Sequence, residues 1–557
     1  MPSHPYPPKA SFDGGDLDCG NGLLLLIRQN IDPLETGELL EIVSWEPTVE
    51  VDLPSWCRLT GNELVNWYST DSDKGKKWSF LVSKGAFQPP QETAADAAGE
   101  QTAEGSGAGP GVAASPGFSP LTNEDLPSAP DELKDASRKR KAKRKRKKVQ
   151  MEITQPVVEP FIPDELPEPA PAAPLEPLSV IPHGSWPRPR WLLDALHHHL
   201  EGRMGEEEFE EVADDAVRLA VAAQERAGVD LVVDGEMRRD NYSSFVAGRL
   251  QNTQLIPITD LLPYVDDPDE FARELSALDV PASEVRHPAV FGPLGRDKPL
   301  AAHEVAFVQS ISDTPVKVCL LGPYLQTRTM WMECISDRAY EDRESLARDI
   351  VRVLREEIAD LLARGTALVQ LDEPVLSEVV YGEVGTGGRT FMCGALGEKK
   401  GVDEELAFAT ELLQETVAGF PPERLALHVC RGNWTPDESA ALSGDYRPLV
   451  PVFNSVGVQN LILELCTPRA GELEALTGIR DDQRLGVGVI NQKVAKLDPV
   501  DEVVGRAERA IDLFGYERVL LSPDCGFATF ADNPITPAKV AEAQLGLIAQ
   551  ARDRLRR

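Results

Sequence analysis

Between residues 178 and 557, eight short apolar runs recur, and the stretches between them carry helical spacing. The runs are SVIPHGS 179–185, LVVDGE 231–236, VKVCLLGP 316–323, ALVQLDEP 367–374, LALHVC 425–430, LILELC 461–466, LGVGVIN 485–491 and VLLSPDC 519–525. Intervening segments such as DDAVRLAVAAQERAG and RDIVRVLREEIADLLARG are amphipathic and stop at a glycine, as helices do when the chain must turn back. Eight β-α alternations over about 380 residues point to an α/β fold, a (β/α)8 TIM barrel with loop insertions. A doubly wound open sheet is the alternative, but it would not by itself bring side chains from strands 5, 6 and 8 together. The unusual polar residues fall at the C-terminal ends of their runs, where such barrels place active sites.

Four of those polar residues are metal-ligand types. His428, Cys430, Glu464 and Cys525 each sit where a buried strand should give way to a loop. Side chains alternate along a strand, so His428 and Cys430 share a face, and so do Glu464 and Cys466. A set of one imidazole, two thiols and a carboxylate suits Zn2+ better than Mg2+ or Ca2+. Zinc with an exchangeable position also binds a substrate thiol as thiolate, which makes sulfur chemistry accessible at neutral pH. Cys466 is a spare candidate on the Glu464 face. His197–His199 lie in a helical stretch whose consecutive positions face different ways, so they do not chelate one ion.

Charge narrows the partners. The chain carries 57 Lys+Arg against 91 Asp+Glu, a formal net charge of −34. Ten of the cations stand in one run, Arg138–Lys148; without it the balance is 47 against 91, or −44. So acidic a body is not expected to bind nucleic acid or anionic lipid, and the basic run reads as a solvated charge block in a linker. No apolar stretch is long enough to span a bilayer, and LLLLI at 23–27 is too short for a signal-peptide core. The expected location is cytoplasmic. The eight cysteines are scattered, which fits reduced thiols and metal ligands rather than a disulfide framework.

Three segments follow from composition. Residues 16–88 read as a small α/β unit: GLLLLIRQNIDPL as helix, GELLEIVSW and WSFLVSK as strands, and LPSWCRLTGNELVNWY with helical spacing and a glycine break. Residues 1–10 are Pro-rich and read as loose. Residues 89–177, rich in Ala, Gly, Pro, Ser and Glu, read as a disordered linker with a Pro-rich tail. Residues 178–557 hold the barrel.

The motifs HGSWPRP 183–189, DGEMRRDN 234–241, QLDEP 370–374, HVCRGN 428–433, LEL 463–465 and PDCGF 523–527 stand in order along the barrel segment. Residues 180–550 thereby resemble the catalytic barrel of the cobalamin-independent methionine synthase family, in its short, single-barrel branch. The resemblance implies that His428, Cys430, Glu464 and Cys525 bind Zn2+. It also implies that Ser185, Glu236 and Asp372 hold the amino-acid head of homocysteine, a role for which an ammonium group needs carboxylates at the barrel mouth. The full-length family carries a His in a YDIH motif, thought to protonate the folate nitrogen that loses the methyl. Here the aligned run is VINQK 489–493, and Lys493 stands in its place as the catalytic acid.

The segments LDCGNGLLLLIRQNIDPLETGELLEI and WCRLTGNEL resemble the TusA-like sulfur-carrier family, a small βαβαββ fold with a reactive thiol at a helix N-terminus. Cys19 stands near that position, in Cys-Gly-Asn-Gly rather than the family's Cys-Pro-x-Pro. The expected activity is a zinc-dependent S-methyltransferase converting homocysteine to methionine with 5-methyltetrahydrofolate as donor. One alternative is a zinc-dependent alkyltransferase using another thiol or a corrinoid protein as donor. A second is a sulfur relay in which the N-terminal unit, through Cys19, exchanges sulfur with a transfer partner and the barrel.

Overall fold

The computed structural model describes residues 4–15, 23–31, 33–72, 75–87, 153, 155–200, 202–241, 243–257, 286–382, 401–433, 438, 441–531 and 534–556. Cys19 and the basic run lie outside the described residues.

In the N-terminal unit, β1 (Ala10–Asp13), β2 (Leu39–Ser44), β3 (Glu63–Ser72) and β4 (Gly75–Ser83) form one sheet in the order β1-β2-β4-β3. β1 and β2 pair in parallel, which requires a crossover, and helix Leu24–Ile31 supplies it. That helix and helix Val49–Thr60 bury Leu23, Ile27, Ile31, Leu53 and Trp56 against Ile42, Phe80 and Val82 of the sheet. The stretch NELVNWY, expected to continue a helix, is strand β3. Gly61, at φ +68°, ends the helix, and the following residues pair antiparallel with β4. The N-terminal residues are not loose throughout either: the His4 ring meets Asn66 Oδ1 at 3.0 Å and Ser79 Oγ at 2.9 Å.

A hairpin of β5 (Leu250–Pro257) and β6 (Arg286–Arg296) is inserted after the second apolar run. Pro288 and Pro293 break its alternation, which hid it from a periodicity reading.

Six strands make the continuous parallel sheet: β7 (Lys317–Leu321), β8 (Leu368–Asp372), β9 (Leu425–Val429), β10 (Asn460–Leu463), β11 (Arg484–Ile490) and β12 (Val519–Pro523), adjacent in sequence order. The first two apolar runs are reduced to single bridges. Val180 pairs in parallel with Leu521 of β12, and Val232 pairs with Val316 beside β7. Asp230 N donates to Val180 O at 3.1 Å, which joins those two segments and closes the sheet on itself.

Alternation then sorts the interior into layers. Ile181, Leu231, Leu368, Ala426, Ile462 and Leu520, one residue from each of six strand positions, belong with Ala367 to a separate apolar cluster. On β11 the equivalent space is left by Gly486, whose added Cβ would sit 3.0 Å from Ile462. Two residues further along the same faces come Gln370, His428, Glu464 and Ser522, and two more bring Asp372 and Cys430. The barrel is therefore apolar at its N-terminal base and polar toward its C-terminal mouth. The larger apolar cluster fills the space between strands and outer helices, including Val217 and Val221 of helix Glu206–Ala227 and Leu545 and Ile548 of helix Ala538–Leu555.

The disordered linker expected over 89–177 does not extend to its last twenty residues. Val158 exchanges two hydrogen bonds with Asn252, at 2.8 and 2.7 Å. Ala170 N donates to Leu362 O at 3.0 Å and its carbonyl accepts from Arg424. Arg484 donates to the carbonyls of Leu175 (2.8 Å) and Glu176 (3.0 Å), and Leu175 packs against the apolar base layer. Proline-rich backbone has carbonyls without internal partners, and arginines at the barrel's base satisfy them.

Candidate metal centre

β9 ends at Val429 and β12 at Pro523, so His428, Cys430 and Cys525 arrive from two strand ends at one place. One donor atom from each lies within 4.8 Å of the others, and all three residues belong to the wall of one cavity. His428 Nδ1 stands 2.8 Å from Ile462 O; a carbonyl only accepts, so Nδ1 carries the proton. Nε2 then presents its lone pair, 3.9 Å from Cys525 Sγ. The hydrogen bond from Cys525 pulls the Cys430 thiol well below its usual range, against the effect of burial, and His428 adds to this. That same bond, with burial, raises Cys525. Burial opposes charge on His428, but contact with Cys430 and the Asp372 carboxylate outweighs it, so its pKa is raised. Two thiols, one of them drawn well below its usual range, and one oriented imidazole form a donor set of the kind Zn2+ takes.

Glu464, expected as the fourth protein ligand, is fully buried beside this group but not within it. Its Oε1 is paired with Arg469 at 2.5 Å. Its Oε2 accepts from Arg431 N at 3.0 Å and from the Asn433 side chain. Cys466, the spare candidate, also stands outside the group. It lies two residues past Glu464 and three past the end of β10, its backbone N–H is taken by Asp524 Oδ1 at 2.9 Å, and burial pushes its thiol up.

The expected substrate residues line the same cavity: Ser185, Glu236 and Asp372, together with Gln370, Asn433 and His183. Burial raises the pKa of Glu236, opposed by Arg239, and burial raises that of Asp372, opposed by His428. Gln370 Nε2 holds Asp372 Oδ1 at 2.7 Å, and Arg239 approaches Glu236 Oε1 at 3.5 Å. Two carboxylates facing one enclosed space are incompletely neutralised, and a cation placed between them relieves both. Glu236 has φ +56°, a backbone conformation costing about 1–3 kcal/mol in a non-glycine residue. Asp234 Oδ1 accepting from Glu236 N (3.0 Å) and Arg188 donating to Glu236 O (2.7 Å) hold it there. Gly184 is required opposite, since a Cβ would meet Glu236 Oε1 at 2.0 Å.

Lys493 lies three residues beyond the end of β11, 9% exposed, with its backbone N–H on Asn491 Oδ1 at 3.0 Å. Burial lowers its pKa, opposed by Glu438; Glu464 and Cys525 also act on its charge. It is near the metal group but is not one of the residues lining the cavity.

Two residues were not singled out from sequence. His183 is 4% exposed, its Nε2 donates to Pro523 O at 3.0 Å, and its ring centre lies 4.4 Å from that of His428. Its position before Gly-Ser at the end of the first apolar run was the available signal. Arg469 carried no local signal, being a loop arginine whose partner is fixed only by the fold.

The family signature described as "Cobalamin-independent synthase, Catalytic domain" matches residues 179–260 and 272–390. A methionine synthase of Saccharolobus solfataricus is 27% identical over 354 residues, 63% of this chain and 88% of its own. One from Sulfolobus acidocaldarius is 27% identical over 370 residues, 66% of this chain and 89% of its own. Among solved structures, a B12-independent methionine synthase from a Shewanella species, in complex with selenomethionine, has TM-score 0.51 and 20% identity. It covers 69% of this chain and 98% of its own, and it supports the fold. Together these matches show that the barrel is similar to cobalamin-independent methionine synthases and to the catalytic domain of that family.

Proposed function

We propose that the barrel is a zinc-dependent S-methyltransferase that methylates the thiol of homocysteine. The observation that carries this reading is the convergence of His428, Cys430 and Cys525 in one cavity with Glu236 and Asp372. The three donors would hold the ion. Bound Zn2+ supplies a Lewis acid that presents the substrate sulfur as thiolate at neutral pH. Glu236 and Asp372 bind the substrate ammonium, and Ser185 orients the amino-acid head. Ser185 is fixed for this, its Oγ accepting from Ala528 N at 3.2 Å. Gly526 leaves it room, since a Cβ there would meet Ser185 Oγ at 2.2 Å. With methyl-folate as donor, the departing nitrogen must be protonated. Lys493, made a stronger acid by burial, supplies that proton directly or through water.

A second reading keeps the acceptor and changes the donor. Lys493 is outside the cavity wall, which suits a donor whose leaving group needs no proton, such as a methyl-corrinoid protein. One experiment separates them. Zinc-loaded protein is given homocysteine with methyl-folate or with methyl-corrinoid, and methionine is measured for wild type and Lys493→Ala. Folate-dependent turnover that falls about 10^2–10^4-fold in the variant supports the first reading. Turnover with corrinoid alone, unaffected by the substitution, supports the second. No methionine from either donor refutes both.

A further inference from the structure

Prolines interrupt the seam where the barrel closes. Along it, Leu178 N donates to Val519 O at 2.7 Å, Leu521 N to Ser179 O at 2.9 Å and Ile181 N to Leu521 O at 2.8 Å. The next rung would need an N–H from Pro523, which has none. Beyond it a side chain supplies the link: His183 Nε2 stands 3.0 Å from Pro523 O. A carbonyl only accepts, so Nε2 carries the proton, and Nδ1 of the neutral ring is left as an acceptor. Burial keeps the ring neutral, holding its pKa well below the usual imidazole range. His183 is 4% exposed, and among the described residues no group donates to Nδ1. A buried acceptor without a donor is costly, and native structures retain few.

The surroundings of His183 suit a cation. It lines the cavity together with Glu236 and Asp372. The Glu236 carboxylate reaches the very next residue: a Cβ on Gly184 would meet its Oε1 at 2.0 Å. On the other side the ring lies 4.4 Å from that of His428, whose charged form the Asp372 carboxylate favours. An ammonium group has three N–H donors, and one bond to each carboxylate leaves the third without a partner. Gln370 Oε1 is another buried acceptor of this wall with no protein donor, but Nε2 of the same amide is held on Asp372 Oδ1 at 2.7 Å, so the oxygen points away from that carboxylate. Resting on the homocysteine reading above, we propose that His183 is a further substrate-binding residue: its Nδ1 accepts the third N–H of the substrate ammonium, beside Glu236 and Asp372. The bond from Nε2 to Pro523 O fixes tautomer and ring plane in advance, so little is lost in ordering the group on binding. A thiol without an amino group gains nothing from Nδ1, and His183 thereby sets a preference among thiols.

The test uses the full chain loaded with Co2+, whose absorption bands report its ligands. Homocysteine and 4-mercaptobutanoate, the same thiol acid without its amino group, are titrated by the sulfur-to-cobalt band into wild type, H183F and H183Q. Chelator competition gives the metal affinity of each. H183F keeps a flat ring against His428 and lacks both nitrogens. H183Q can still donate to Pro523 O but places no acceptor where Nδ1 stood. Both should bind homocysteine about 10–100-fold more weakly, with 4-mercaptobutanoate and metal affinities at wild-type values. Unchanged homocysteine affinity in H183F, or in H183Q should H183F not fold, overturns the proposal. An equal loss for both thiols, or a loss of metal affinity, also overturns it, since His183 would then act through the metal group. Wild type that binds both thiols equally overturns it without any variant. Wild type that binds neither refutes the methyltransferase reading, and this proposal with it.

Discussion

The Cys430 and Cys525 thiols interact directly, and in the function proposed above a metal ion would replace the proton they share. Cys525→Ser and Cys430→Ala should each lose most bound zinc, and Glu464→Ala should retain it, because the three-donor group does not include Glu464. Metal content per chain after dialysis against a weak chelator measures this; full zinc in Cys525→Ser would show the centre to be elsewhere. In the same cavity, Glu236→Gln and Asp372→Asn each remove one charge from the proposed ammonium site. Each should weaken homocysteine binding by about 1.5–3 kcal/mol, or one to two decades, with zinc content unchanged. Calorimetric titration reads the affinity directly, and unchanged binding in both variants would point to an acceptor without an amino group. The residue types and their strand-end placement were legible in sequence because alternation fixes which side chains share a face. The engagement of Glu464 by Arg469 was not, since it joins a strand end to a loop whose path no periodicity encodes.

The strand ends are the elements that carry the chemistry, and their packing depends on glycines. Gly488 of β11 lies against the loop after β12: a Cβ would fall 2.0 Å from Asp524 Oδ1 and 3.0 Å from Leu463 O. Asp524 in turn holds the backbone N–H groups of Leu465 and Cys466, each at 2.9 Å. Gly488→Ala should push Asp524 aside and shift its neighbour Cys525. The expected results are a loss of about 1–3 kcal/mol in stability from overpacking and reduced zinc affinity, read by denaturant unfolding and chelator competition. Wild-type values for both would show that the Asp524 loop does not position Cys525. Sequence identified all eight apolar runs, but it could not tell that the first two contribute only single bridges. It also missed hairpin β5-β6, whose prolines disrupt the alternation that marks a strand.

On the scale of the whole molecule, the Pro-rich tail belongs to the barrel and not to the linker before it. A fragment starting near residue 150 should keep zinc and unfold cooperatively. One starting at residue 178 loses the carbonyl partners of Arg424 and Arg484 and the Leu175 contact with the base layer. Its Tm should fall by several degrees, at about 2–4 °C per kcal/mol for a domain somewhat smaller than this one. Equal Tm values would show the tail to be passive. Among the described residues no helix is long and apolar enough to cross a membrane.

The sequence by itself determined the α/β alternation, the polar strand ends and the placing of His428, Cys430, Glu464 and Cys525 at those ends. Each of these follows from local periodicity and residue chemistry, which a chain carries before it folds. Tertiary structure alone decided that Glu464 faces Arg469, that His183 lies against His428, that Lys493 does not line the cavity, and that Ala170, Leu175 and Glu176 dock on the barrel's base. Those outcomes depend on which distant groups satisfy a buried charge or an unpaired carbonyl. That partner is chosen only when the strands close and water leaves.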